Sequence, residues 1–135
     1  MKFVVKFFLF SLLLLTLNSC EKDEDKKPDI SFKTGANYTS SDVSLAGGTV
    51  VIIGIHAEKT EEEDVLTHFN VSISLNGLPA VSVFDENIAS ADEDIYDYDF
   101  TYPVPVGAGN TYKLAFTVTD HNGQTNQVSL TVTAN

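Results

Sequence analysis

The segment that decides the fold is Thr111–Thr133, which reads TYKLAFTVTDHNGQTNQVSLTVT. Apolar and polar residues alternate on both sides of the turn Asp120–Gln124, and this period of two is typical of half-buried strands. Asn122-Gly123 favours a tight reversal of the chain. The segment therefore predicts an antiparallel hairpin with one face in a core and the other in water. The residues expected on the core face are Tyr112, Leu114, Phe116, Val118, Val128, Leu130 and Val132.

The same alternation continues towards the N-terminus as far as Asp29, and no helical periodicity interrupts it. Asn76-Gly77 marks another tight turn, and Val81 and Val83 after it are expected to face the core. Seven short strands separated by turn signals predict an all-β antiparallel sandwich, with a small β-barrel as the alternative. The predicted strands are 29–32, 49–57, 65–75, 80–84, 95–103, 111–119 and 127–133.

The hairpin Thr111–Val132, with its Asn122-Gly123 turn, resembles the closing strands of immunoglobulin-like modules of the fibronectin type III, PKD and cadherin-like kind. The resemblance implies a seven-stranded antiparallel Ig-like β-sandwich that spans residues 29–135. This length suits one domain with a core and is too short for two of ordinary size. The chain has one cysteine and no tryptophan. Antibody domains, with their cysteine pair and core tryptophan, are therefore excluded.

The N-terminus, residues 1–19, reads as a secretory signal peptide. Lys2 and Lys6 precede an uncharged apolar run of eleven residues, Phe7–Leu17. At about 1.5 Å per helical residue, this run covers about half of a ~30 Å hydrocarbon core, so it is too short to span a membrane. A basic start, a short apolar stretch and a small residue before the cleavage site indicate export followed by removal.

Leu17-Asn18-Ser19-Cys20 resembles the lipobox of bacterial lipoproteins. That family implies cleavage before Cys20, acylation of its thiol and acylation of the new N-terminus. Several acyl chains hold a protein on a membrane more firmly than a single chain does. The alternative is cleavage by ordinary signal peptidase, which leaves Cys20 as a free thiol.

Residues 20–28 are expected to form a charged, solvated tether behind the acylated cysteine. Within it, Lys22-Asp23-Glu24 resembles the signal that sends lipoproteins of the Bacteroides group to the outer face of the outer membrane. A plain charged spacer with a periplasm-facing anchor is the alternative. The expected location is the bacterial outer membrane, with the domain displayed at the cell surface.

The net charge of the chain limits the kinds of molecule that it can bind. After removal of residues 1–19 the chain carries nineteen acidic side chains against six lysines, an excess of thirteen negative charges. This balance argues against binding to nucleic acid or to anionic lipid headgroups, because both need a cationic surface. The partners left open are the membrane that holds the lipid anchor and an unidentified protein or glycan.

The acidic residues also suggest a cation site. If successive strands alternate in direction, the acidic loops 58–64, 85–94 and 120–124 share one end of the sandwich with the N-terminus. Calcium takes about six to eight oxygen ligands, and the cadherin-like resemblance implies calcium at module ends. Solvated acidic loops without a bound ion are the alternative. The candidate calcium ligands are Glu61, Glu63, Asp64, Asp92, Asp94 and Asp120.

The sequence offers no catalytic constellation. His56 and His68 are expected on the outer faces of opposite sheets, too far apart to share a metal ion, and His121 lies in a turn. Asp97 and Asp99 lie on one face of a strand, where we interpret them as solvated charges. The chain contains no nucleophile elbow and no phosphate-binding glycine loop. We therefore expect no enzyme activity and no cofactor other than the candidate calcium.

These features favour a non-catalytic surface module for adhesion, protein interaction or a structural accessory role. Glycan binding within a carbohydrate-uptake system is the alternative, because surface lipoproteins of the kind that this chain resembles often accompany glycan-import systems. A sugar platform needs exposed aromatic rings, but the tyrosines of 95–103 alternate as core residues do, which leaves Tyr38. Val50 and Ile52 are expected to point outward and could contribute to a partner surface.

Overall fold

The computed structural model describes residues 26–135, and every regular element within them is a β-strand. The predictions for residues 1–19, for Cys20 and for Lys22-Asp23-Glu24 lie outside the described residues. Within the described part of the chain, no helix is long and apolar enough to cross a membrane. The eight strands are β1 Asp29–Phe32, β2 Val43–Leu45, β3 Val50–Glu58, β4 Leu66–Leu75, β5 Val81–Asn87, β6 Ile95–Pro103, β7 Thr111–Asp120 and β8 Thr125–Ala134.

The strands form two sheets that pack face to face. Three strands lie in the order β1-β3-β6 and five in the order β2-β8-β7-β4-β5. The predicted hairpin is the β7–β8 pair, in which Leu114 lies opposite Leu130. Aromatic rings join the two sheets, since the ring centroid of Phe32 on β1 lies 6.0 Å from that of Phe116 on β7. The prediction of an all-β sandwich is therefore confirmed.

The predicted count of seven antiparallel strands is wrong. An eighth strand, β2, runs parallel to β8, with Val43 beside Val132. It has only three residues, and alternation over so short a segment cannot be distinguished from a loop. Asp42 accepts a hydrogen bond of 2.7 Å from the Thr131 backbone N–H. This side-chain bond to the β8 backbone lies directly before the first residue of β2.

The core lies between the sheets and contains the residues that the alternation placed inward. Phe69, Phe116 and Ile53 are completely buried, and each such side chain contributes about 1.5–3 kcal/mol through burial. Tyr96 and Tyr102 are also buried, which confirms the expectation for the tyrosines of β6. Burial, and then the proximity of a second tyrosine, raise the pKa of Tyr102 to about 12.

The expectation that Val81 and Val83 face the core is wrong, because both side chains are exposed. β5 is an edge strand, and its pairing with β4 shifts by one residue between Val71 and Ser72. The shift leaves Val83 without a register partner on β4. Phe84, which pairs with Val71, takes the place against the core instead.

One end of the sandwich holds the start of β1 together with loops 59–65 and 88–94 and turn 121–124. Alternation of strand direction predicted this arrangement, although Asp85 and Glu86 lie within β5 and not in a loop. Hydrogen bonds join the loops, from Leu66 N–H to the Glu93 carbonyl at 2.7 Å for example. We call this end the acidic pole. Its carboxylates are those of Asp29, Glu58, Glu61, Glu62, Glu63, Asp64, Asp92, Glu93, Asp94 and Asp120.

Candidate functional site

The segments at the opposite end of the sandwich contain no aspartate, glutamate, lysine or arginine among the residues that the structure describes, and Lys113 lies at their margin, opposite Ser74. This end consists of residues 45–50, 74–81, 102–112 and 133–135, and we call it the uncharged pole. Large apolar side chains are nevertheless exposed there, with Val106 88% and Val81 66% accessible. Exposed apolar groups gathered in one region mark interaction surfaces more often than isolated ones do. The exposed apolar residues of this pole are Val50, Leu75, Leu78, Val81 and Val106.

The loop that carries Val106 is held against the turn between β2 and β3. A Cβ atom at Gly47 would lie 2.7 Å from the Val106 Cα, so only glycine allows this approach. The Gly48 N–H donates to the Val104 carbonyl, and the Val104 N–H donates to the Thr49 carbonyl, both at 2.8 Å. Val106 is therefore exposed on a loop whose base is fixed by backbone hydrogen bonds.

Asn76 joins the other two segments of the uncharged pole. It has a positive φ of 49°, which asparagine tolerates better than most residues. Its Oδ1 accepts a 2.8 Å hydrogen bond from the Thr111 N–H, and its Nδ2 donates to Asn110 Oδ1 at 2.9 Å. The β4–β5 turn and the β6–β7 loop are thus joined, and the pole presents a preorganised surface.

A second group of polar side chains lies on the outer face of the β1-β3-β6 sheet. Lys33 Nζ lies 3.0 Å from Asp99 Oδ1 and 3.5 Å from Asp97 Oδ1. The Tyr38 hydroxyl donates to Asp99 Oδ2 at 3.1 Å, and His56 Nδ1 lies 3.0 Å from Asp97 Oδ1. We call these five residues the outer-face network. Tyr38 is therefore bound within a network and is not a free ring.

Electrostatics within the network stabilise charged forms. The hydrogen bond with His56, and secondarily the charge of Lys33, hold the pKa of Asp97 below its ordinary value of 3.8 although burial opposes this. Burial acts to lower the pKa of Lys33, but its hydrogen bond to Asp99 and the charges of both aspartates raise it overall. A general acid needs a raised carboxyl pKa. The pKa of Asp97 is lowered, so this carboxyl does not have the property of a general acid.

Several contacts hold residues 26–28, where the described chain begins, against the acidic pole. Pro28 is buried, and its carbonyl accepts a 2.9 Å hydrogen bond from Asn126 Nδ2. The Thr60 hydroxyl donates to the Lys27 carbonyl at 3.1 Å. Lys26 Nζ lies 2.9 Å from Glu61 Oε1. The position at which the chain enters the sandwich is therefore fixed at this pole.

The six candidate calcium ligands all lie at the acidic pole, but they have separate surroundings. Glu61 pairs with Lys26, and Lys59 Nζ lies 2.7 Å from Asp94 Oδ1. Glu63 and Asp92 are exposed, whereas Asp64 and Asp120 are 8% and 2% accessible. Within residues 26–135, no three acidic, histidine or cysteine side chains are placed to hold one metal ion.

Asp64 and Asp120 are connected through Asn122. Asp120 Oδ1 accepts hydrogen bonds of 2.9 Å from the backbone N–H groups of Asn122 and Gln124, which closes the β7–β8 turn. The Asn122 side-chain amide donates to Asp64 Oδ1. Asp120 Oδ2 is buried and has no hydrogen-bond partner among the described residues. The first role of Asp120 is therefore to shape the turn.

The histidines lie as expected, on separate surfaces. His56 is on the three-stranded sheet and His68 on the five-stranded sheet, where it pairs with Asp85 and lies 3.3 Å from Asn87 Oδ1. His121 is exposed in the β7–β8 turn. These positions bring no two histidines together.

Sequence reasoning missed the uncharged pole as a unit. Its signal is present, because stretches 45–50, 74–81 and 102–112 contain no charged residue. Nothing in the sequence alone says that these three stretches meet, since the strand order brings them together.

No protein-family model matches the chain, and no curated protein matches it. Among solved structures the chain is similar to the crystal structure of Spo0M, a sporulation control protein from Bacillus subtilis. The sequences are 10% identical and the TM-score is 0.45, over 81% of this chain and 49% of that one. The chain thus spans about half the length of that protein.

Proposed function

We propose that this chain is a non-catalytic lipoprotein of the bacterial cell surface, anchored through acylated Cys20, whose sandwich serves adhesion or protein interaction. Lys22-Asp23-Glu24 is its export signal, and the domain is of the Ig-like kind. The observation that carries the proposal is the separation of the two poles. The chain enters at the acidic pole, and five of the eight large exposed apolar side chains of the described residues lie at the other end.

The short tether orients the domain. Residues 20–25 precede the first described residue, and six residues reach at most about 20–22 Å. The acidic pole therefore faces the membrane, and the uncharged pole lies on the far side of a sandwich about 33 Å long. A surface that is apolar and remote from the membrane is suited to contact a protein partner.

Two measurements on intact cells test the anchor and the display. A fatty-acid probe should label the wild type and leave Cys20→Ser unlabelled. Protease added to intact cells should remove the domain, whereas a Lys22→Ala/Asp23→Ala/Glu24→Ala variant should be protected on the periplasmic side. An unlabelled wild type would exclude the lipid anchor. Protection of the wild-type domain would exclude surface display.

Glycan binding is the second candidate, and the outer-face network is the observation that favours it. One face of the Tyr38 ring packs on the sheet, and its hydroxyl is positioned by Asp99. The Lys33 ammonium lies over the ring, 5.9 Å from its centroid, so a sugar would have to share that side of the ring with Lys33 while the carboxylates hydrogen-bond its hydroxyls. A glycan array probed with the mature chain tests this, with Tyr38→Ala as the matched variant. Hits that survive Tyr38→Ala would exclude this site.

A further inference from the structure

We propose that the free edge of β6 is a docking site for an extended segment of another protein, in which lysine or arginine alternates with apolar residues. Such a segment would join the β1-β3-β6 sheet as a fourth strand, and strand addition of this type is a recurring mode of peptide recognition. The inference goes beyond the proposed function, because it names the chemistry of a partner and depends only on the sandwich. It would stand even if Cys20 were not acylated.

The backbone of β6 directs the hydrogen-bonding groups of every second residue away from β3. In an antiparallel pair, residues that bond the partner strand alternate with residues whose N–H and C=O point to the other side. The Val104 N–H donates to the Thr49 carbonyl at 2.8 Å, and the Lys59 N–H donates to the Asp94 carbonyl at 3.0 Å. Even-numbered residues therefore face β3, and the odd-numbered residues of β6 face the free edge. Pro103 fits this assignment, because proline has no N–H to donate and occurs at sheet edges.

Among the edge strands that the structure describes, β6 is the longest and most regular. It pairs with β3 over nine residues without a register shift. The edge strand β5 contains a bulge, and the edge strands β1 and β2 have four and three residues. Bulges and short edge strands are features that hinder the addition of a further strand. The edge best able to accept a strand is therefore that of β6.

The space between the sheets is incompletely covered beside this edge. The three-stranded sheet ends at β6, whereas the five-stranded sheet continues to β5. Val81 pairs with Ile73 and lies on the same side of its sheet as that partly buried residue, yet Val81 is 66% accessible. The rings of Phe84 and Tyr98, with centroids 4.8 Å apart, belong to residues that are also only partly buried. A fourth strand beside β6 would lie over β5, where its apolar side chains would cover these groups.

The side of the sandwich at this edge is acidic. Neither β5 nor β6 contains a lysine or an arginine, and together they carry Asp85, Glu86, Asp97 and Asp99. The side chains of Asp97 and Asp99 remain 52% and 49% accessible although both lie close to Lys33. Directly opposite side chains on one face of a sheet interact, and opposite charges there are favourable. The residues of an added strand that lie beside these two aspartates should therefore be lysine or arginine.

The same aspartates disfavour a second copy of this chain as the partner. A symmetric antiparallel pair of β6 edges centred on residues 97–99 would place an aspartate of one copy opposite an aspartate of the other, which is destabilising. The tether of the mature chain is disfavoured too, because residues 21–25 contain four acidic side chains and one lysine. Charge therefore selects a cationic strand from a different protein.

Synthetic peptides test both the charge and the backbone requirement. Fluorescence anisotropy in physiological salt measures their binding to the mature chain from residue 20, carrying Cys20→Ser, up to about 1 mM protein. We expect Lys-Val-Lys-Val-Lys-Val-Lys-Val-Lys to bind, and the same peptide with glutamate in place of lysine not to bind. Two further lysine peptides are N-methylated on the backbone, one at the lysines and one at the valines. One of them should bind about tenfold more weakly and the other unchanged, because only alternate residues of a strand donate to β6.

Substitutions at Thr101 test the edge itself. Thr101→Pro removes an N–H that faces the free edge and should weaken binding of the lysine peptide about tenfold, whereas the matched Thr101→Ala should bind as the wild type does. Both variants should keep the wild-type melting temperature to within a few degrees, because β3 does not use this N–H. In the wild type, amide exchange measured by NMR should show that the peptide protects the N–H groups of Asp97, Asp99 and Thr101.

Three results would overturn the proposal. The first is a lysine peptide that does not bind, and the second is equal binding of the two N-methylated peptides, which would reduce the contact to attraction between charges. The third is protection confined to the loops of the acidic pole. Concentration-dependent protection of the β6 amides without peptide would make a second copy the partner and would overturn the choice of a cationic strand. Failure of fatty-acid labelling of Cys20 would bear on the anchor alone, since this experiment does not use the lipid.

Discussion

The ring of Tyr38 lies directly on the backbone of Gly54. A Cβ atom at position 54 would be 2.7 Å from Cε1 of Tyr38 and 2.8 Å from Cβ of Lys33. Gly54 lies opposite Asp99 in the β3–β6 pair, so Tyr38 also reaches that carboxylate. One glycine on the outer face of the sheet therefore allows the outer-face network to form.

The first prediction concerns this contact. Gly54→Ala should displace Tyr38 and Lys33 and lower the free energy of unfolding by about 1–3 kcal/mol, the usual effect of overpacking. Urea denaturation measures the loss. In a Tyr38→Ala background the same substitution should be less destabilising, because one of the two clashes is gone. An equal loss in both backgrounds would show that the ring does not pack on Gly54.

The second prediction concerns pH. The pKa of folded Asp97 is below 3.8 because of His56 first and Lys33 next, so the pair stabilises the fold above the unfolded pKa. This contribution should be lost as the pH falls below 3.8 through the folded pKa. An NMR titration should show the Asp97 pKa move up towards its ordinary value in His56→Gln. The effect on stability should stay below about 1 kcal/mol, as for other exposed pairs. An unchanged Asp97 titration in His56→Gln would contradict the assignment.

The third prediction concerns the tyrosines at high pH. Burial raises the pKa of Tyr102 to about 12 from 10.0, and burial also raises the pKa values of Tyr96 and Tyr98. The folded state therefore holds these protons more tightly than the unfolded state does. The stability that this gives is complete below pH 10 and is lost as the pH rises towards 12. Absorbance at alkaline pH should show these three side chains ionising together with loss of the β-sheet signal in circular dichroism. Full ionisation of all tyrosines in a folded domain would contradict it.

The fourth prediction concerns the β7–β8 turn. Asp120→Ala removes the acceptor of two backbone N–H groups and should lower the free energy of unfolding by about 2 kcal/mol. Asp120→Asn keeps Oδ1 as an acceptor and should recover only part of this loss, because its amide NH2 takes the place of the buried, unpartnered Oδ2. His121→Ala is the control, because the side chain is exposed and its effect should stay within about 0.5 kcal/mol. Equal stability of Asp120→Ala and the control would show that the turn does not need the carboxylate.

The fifth prediction concerns calcium at the acidic pole. Asp94, Glu61 and Asp64 already have partners in Lys59, Lys26 and Asn122. We therefore expect the melting temperature to be the same in millimolar calcium and in chelator. The informative comparison is between the wild type and Asp120→Asn, because Asp120 Oδ2 is buried without a hydrogen bond among the described residues. A calcium-dependent rise in the wild type that the substitution removes would establish a site there.

The sequence predicts the faces of long strands well. Leu114, Phe116 and Val118 are buried as their alternation requires, because a half-buried strand of ten residues repeats the signal several times. The sequence does not predict β2, because a strand of three residues is too short to repeat the alternation of apolar and polar residues. The alternation puts Val83 on the wrong face because a bulge inserts one residue into β5. Beyond such an insertion, each side chain lies on the opposite face of the sheet from the one that simple alternation predicts.

The candidate site was less predictable than the fold. Asp97 and Asp99 were expected on one outer face, and they are there. Their partners Lys33 and Tyr38 lie sixty or more residues away along the chain, at separations of 66 and 61. Only the pairing of β3 with both β1 and β6 brings them together. The two poles depend in the same way on strand order, which composition does not encode.

The chain enters the sandwich at the start of β1 and finishes β8 at the other end. A tensile load applied between the start of β1 and a partner at the far end would therefore run along the strands. Backbone hydrogen bonds between strands lie across that direction, so they would be sheared as a group and not peeled apart one by one. Such a domain would resist pulling more strongly than its modest number of residues suggests.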